Sequence, residues 1–192
     1  MFGFNKNKPL IQGPIEFEAE IEIDRSASVV FPLLDLASPE FAHLQRGASV
    51  EALDGELQQY RLTIEAMEGV AFLYRVLDRV EGERHEAECV IEPRINDLLK
   101  AVERYEITAR GADACHVKLT TIATFDESLS DEEVAGEIAM MSLAVNDDLH
   151  KLKVHAEEGP EAVAAMEEED DLGFEIDLGD LDLDWDDIEP EQ

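Results

Sequence analysis

The stretch Ser130–His155, SDEEVAGEIAMMSLAVNDDLHKLKVH, limits the possible folds more than any other. Val134, Ile138, Met141, Val145, Leu149 and Leu152 recur at three- and four-residue spacing, the stripe of an amphipathic helix. Ser130 and Glu133 have the spacing of a capping box, and Asp131 to Glu133 place negative charge at the positive end of the helix dipole. His150, Lys151, Lys153 and His155 sit near the other end, where cations complement the dipole. Gly159-Pro160 is a stop signal. Met140 and Met141 read as gap-filling core or as the adaptable lining of an apolar cavity. Nearly everything before this helix reads as strand. A lone helix after a strand-rich run must bury its stripe on the sheet those strands build.

The first strand is the clearest. In IEFEAEIEID (15–24), Ile15, Phe17, Ala19, Ile21 and Ile23 alternate with Glu16, Glu18, Glu20 and Glu22, so one face is buried and the other wet. Residues 26–36 read as a short helix that Pro32 breaks or kinks. Ser38-Pro39 starts a second short helix through about Leu44, ended by Gly47. Six strand-like runs follow, at about 48–53, 56–65, 70–79, 83–93, 101–110 and 113–125. Asp54-Gly55, Glu81-Gly82-Glu83 and Gly111-Ala112-Asp113 turn the chain between them. Short turns between successive strands imply an antiparallel meander. The segment 94–100, RINDLLK, fits a loop or one helical turn.

An order of strand, two short helices, six strands and a long helix resembles the START-like, or polyketide-cyclase-like (SRPBCC), helix-grip superfamily. The resemblance rests on that order, on the opening IEFEAEIEIDRSASVVFPLLDL, on the hairpin RYEITARGADACHVKLTTIATF and on the amphipathic helix. It implies an α+β fold in which a curved seven-stranded antiparallel sheet wraps around the long C-terminal helix. The domain would span 14–158, after a flexible leader (1–13) and before an acidic tail (159–192) that is disordered or docked on a partner. The resemblance also implies a cavity between sheet and helix for a lipid, sterol, quinone or polyketide.

Charge narrows the partners. The formal net charge is −32, and 17 of the acids lie from Glu157 onward, where no Lys or Arg stands. Nucleic acid and anionic membrane would repel such a chain. No apolar run approaches the length of a membrane span, so stable membrane insertion is not expected. Two cysteines, Cys89 and Cys115, are too few for a disulfide framework and read as buried, reduced thiols of a cytoplasmic protein.

Phosphate-binding glycine loops, G-x-S-x-G and C-x-x-C are absent. His85-Glu86 is followed by Cys89 rather than His and lies in a strand pattern, so no zinc-protease helix forms. Asp180, Asp182 and Asp184 mimic the start of a calcium loop, but Trp185 stands where its glycine is required. No metal or cofactor is expected. The expected ligand-binding residues are Phe31, Tyr60, Tyr74, His85, Tyr105, Met141 and Val145, a mainly apolar set with a few polar tips. Their roles fit a noncatalytic carrier of a small hydrophobic molecule. A cyclase or dehydratase using His85 and Tyr105 for acid–base work is the alternative. In the tail, Phe174, Ile176, Leu181, Leu183 and Trp185 alternate with acids, the pattern of a segment that docks on a basic or apolar protein surface. An adapter acting through that tail is the third reading.

Overall fold

A computed structural model describes residues 13–54, 57–95 and 97–173. The expected tail contacts at Phe174, Ile176, Leu181, Leu183 and Trp185 lie outside the described residues, as does most of the expected leader. Among the described residues no helix is long and apolar enough to cross a membrane.

The strands are β1 (Ile15–Ile23), β2 (Ser49–Asp54), β3 (Gln59–Thr63), β4 (Ala71–Val80), β5 (Arg84–Glu92), β6 (Leu98–Ala109) and β7 (Cys115–Phe125). They form one antiparallel sheet in the order β1-β7-β6-β5-β4-β3-β2. Irregularities between Ala52 and Asp54, Val76 and Asp78, and Leu98 and Lys100 interrupt the ladder, the kind of feature that bends a sheet. The ambiguous 94–100 segment ends as strand, since β6 begins at Leu98.

Helices α1 (Ala27–Leu34) and α2 (Ala42–Gln45) follow β1. Pro32 lies inside α1, which ends two residues later. A helix from Ser38 is not found. Ser38 instead accepts the Glu40 N–H at 3.0 Å in a local turn, and α2 starts only at Ala42. Hydroxyl-to-backbone bonds of this kind compete with helix.

The long helix α3 runs Asp131–Glu158. Its capping box is present: Glu133 N–H donates to Ser130 Oγ at 3.3 Å, and Ser130 N–H donates to Glu133 Oε2 at 2.8 Å. At the far end Lys153 and Arg25 donate to the carbonyls of Glu22 and Glu157, both at 2.7 Å, tying α3 to the end of β1. Val134, Val145, Leu149 and Leu152 are buried against β1, β7 and α1. Met140 is 67% exposed and is not core, whereas Met141 is half-buried.

Gly159, at φ 101°, ends α3, but the chain refolds at once into α4 (Pro160–Gly173). The first part of the expected tail is therefore helix. Proline suits the first helical position, and the run E-A-V-A-A-M consists mostly of good helix formers. Val163 is fully buried where α4 packs on α3. Glu167 bridges Arg46 and Lys151 at 3.0 and 3.1 Å.

Candidate ligand cavity

The buried residues fall into two clusters. The larger joins Phe17, Ile23, Val30, Phe31, Leu119, Val145 and Leu149 under α3. The smaller joins Leu36, Phe41, Leu62 and Ala87 at the β3–β5 side of the sheet. Between them lies a cavity of about 300 Å³. It exists because the inner positions of the central strands are small. The register aligns Ala87 with Glu103 and Thr121 in one row, and Cys89 with Ala101 in the next, and all five line the space. From above, α3 offers the equally short Ala144 and Asp148. A curved sheet meeting a helix across such residues cannot close.

Five of the seven expected ligand residues line this cavity: Tyr74, His85, Tyr105, Met141 and Val145. Two do not. Phe31 is 2% exposed in the main core, with the Arg79 guanidinium 5.3 Å from its ring centroid. Tyr60, one strand beyond Tyr74, packs on the smaller cluster. His85 and Tyr105 are direct cross-strand partners, and Tyr74 is the partner of Cys89. His85 is buried, which keeps its ring neutral by lowering its pKa, and its Nε2 has no hydrogen-bond partner among the described residues.

Glu103 and Asp148 were not expected there. Glu103 is enclosed by protein, so its open surface is that of the cavity, and among the described residues it has no hydrogen-bond donor or ion-pair partner. Burial, and then the nearby Asp148 carboxyl, push its pKa up to about 8. Asp148 is exposed as a residue, but the protein packed around its carboxyl and the neighbouring Asp147 raise it to about 6, against the opposing pull of Lys151 and Arg46. Burial and the Glu103 charge also raise both tyrosine hydroxyls, Tyr74 and Tyr105, and push the Cys89 thiol up to about 12. At neutral pH the cavity thus holds a protonated carboxyl, a mostly ionised one, two neutral phenols and an unreactive thiol. The signal for both acids was present in the sequence. Glu103 shares its strand face with Tyr105, and Asp148 stands three residues after Val145 and four before Leu152.

One end of the cavity is polar. Arg46 Nη2 lies 3.3 Å from His43 Nδ1, and Lys151 pairs with Asp147 at 2.8 Å in addition to Glu167. Burial and Arg46 lower His43 to about 4, so it is neutral. His155 does not complement the helix dipole as a cation: it is 5% exposed, its Nε2 lies 3.1 Å from Gln45 Oε1, and burial and Arg46 lower its pKa. Among the described residues no three metal-ligating side chains gather.

No family model and no curated protein matches this sequence. Solved structures do match in shape. Ara h 8.0201 aligns at TM-score 0.55 and 12% identity, over 80% of this chain and 97% of its own. The Zhui aromatase/cyclase from Streptomyces sp. R1128 aligns at 0.51 and 14%, over 76% and 97%. DynU16, from the dynemicin biosynthetic locus, aligns at 0.56 and 13% over 75% of this chain, which spans 48% of DynU16. With the strand order and the long helix α3 across the sheet, these likenesses establish the helix-grip fold for this chain.

Proposed function

We propose that the protein binds a small, mainly apolar molecule in the space between the sheet and α3. The observation that carries this reading is the cavity itself. Its volume of about 300 Å³ lies at the lower end of the range for small-molecule sites, and Leu36, Leu62, Phe72, Ala101 and Val145 give it apolar walls. Transfer of an apolar ligand into it is worth roughly 25 cal/mol per Å² removed from water. The fold likeness to an aromatase/cyclase agrees with a cavity of this kind. The test is a titration with the neutral dye 1-N-phenylnaphthylamine. The expected result is enhanced, blue-shifted emission with the native chain and its loss in Ala101→Phe, whose ring would occupy the space. Equal emission from both folded proteins would reject the reading.

One observation favours a second reading, catalysis of a cyclase or dehydratase type. Two carboxyls with raised pKa values share an apolar cavity with Tyr105, and displaced acids concentrate at active sites. Glu103, protonated at neutral pH, could give a proton to a leaving hydroxyl while the Tyr105 hydroxyl holds a carbonyl. Turnover of a poly-β-keto thioester analogue that fell at least tenfold in both Glu103→Gln and Tyr105→Phe, with dye binding retained, would support it. Unchanged turnover would remove both residues from any such role.

A further inference from the structure

We infer that the cavity selects hydrophobic amines, with the ligand's ammonium group seated between Glu103 and Asp148. This deepens the ligand-binding reading and rests on it.

A charge balance around the cavity carries the inference. Of the cations lining the cavity, Arg46 is engaged by Glu167, Lys151 by Asp147 and Glu167, and Lys100 by Glu88. His43, His85 and His155 are held toward the neutral form by burial. Tyr74, Cys89 and Tyr105 are neutral. What remains is Glu103 on β6, with no cation acting on it among the described residues, beside Asp148 on α3, which Lys151 and Arg46 offset only in part. Glu103 is the decisive member, since its open surface faces the cavity and it has no donor among the described residues. Burying a carboxyl without a partner is costly, and a chain that holds only a neutral apolar molecule has no need of Glu103 in its wall.

An alkylammonium supplies what the pair lacks. Its three N–H donors suit two carboxylates, and its apolar body suits walls of leucine, isoleucine and phenylalanine. Phe72, Tyr74 and Tyr105 add aromatic faces, which attract cations. A carboxylate ligand such as a fatty acid cannot take up the Glu103 charge and is repelled by Asp148, so it binds more weakly than the amine. The raised pKa values agree with this, because they measure how poorly the empty cavity supports negative charge. An entering cation relieves both, so binding at neutral pH must expel the proton from Glu103.

Isothermal titration of the full chain with octylamine, octanol and octanoate tests the inference, because the three probes share one apolar body. Octylamine is expected to bind at least about tenfold more tightly than octanol, and octanoate more weakly than either. In Glu103→Gln/Asp148→Asn, octylamine and octanol should come within about twofold of each other, with octanol binding retained. Proton release, read as a dependence of the octylamine enthalpy on the buffer's ionisation enthalpy, should appear in the native chain and vanish in Glu103→Gln. Octanol binding as tightly as octylamine, or an amine preference that survives in the double variant, would overturn the amine assignment and leave the cavity reading standing. Binding of none of the three would overturn both.

Discussion

Glu103 is the residue on which the protein's pH behaviour turns. Its carboxyl titrates near 8 in the folded chain and near the ordinary carboxylate value when unfolded. Between those values the folded state holds the extra proton, so this group makes stability fall as pH rises through that window. Above it the cost is on the order of 3–5 kcal/mol. Glu103→Gln carries no such cost. Urea unfolding should therefore show it stabilised by several kcal/mol at about pH 9 and nearly unchanged at about pH 5. Equal stability of the two proteins at both pH values would mean that Glu103 is solvated in the native state. Residues of this kind were hard to find in advance. Alternation placed Tyr105 and Ile107 on the inner face and, by the same count, Glu103. A glutamate in a strand is ordinarily the wet residue, as in β1, where Glu18 pairs with Lys118 and Glu22 with His116. Pattern assigns a face, but only packing shows whether that face is empty or filled.

Single elements test how the walls are held. The α3 stripe was the plainest signal in the sequence, and its buried members anchor the helix to β1 and β7. Leu149, 2% exposed, is central. Leu149→Ala should cost about 2–5 kcal/mol in denaturant unfolding, and a cost below ~1 kcal/mol would mean that α3 is not seated there. Helix α4 was not legible. Gly159-Pro160 reads as a stop, and the run of acids after it reads as solvated chain. What overrides this is tertiary: Val163 enters the core and Glu167 closes on Arg46 and Lys151 beside the cavity. Val163→Ala should cost roughly 1–3 kcal/mol. By contrast Glu167→Ala, an ion pair with an exposed carboxylate, should cost no more than about 1 kcal/mol. If Val163→Ala is silent in the same assay, α4 is only loosely attached.

Across the whole molecule, the order of elements as far as α3, the meander and the long helix were readable because each follows from a period of two or 3.6 residues. The cavity was not readable as a shape, because a void belongs to no residue. It arises where Ala87, Cys89 and Ala101 on one side face Ala144 and Asp148 on the other, across a curved sheet. The two core clusters hold the fold together on either side of that gap. Filling it should therefore be tolerated: Ala101→Phe should keep or raise thermal stability while abolishing ligand uptake, whereas a solid core would be overpacked and lose about 1–3 kcal/mol. The most direct measurement is intermolecular NOE spectroscopy on the native chain saturated with octanol. An occupied cavity predicts contacts from the alkyl chain to the methyl groups of Ala101, Met141 and Val145 and to the Tyr105 ring. Contacts only to outward-facing residues such as Met140 and Leu143, with none to those inner groups, would contradict it.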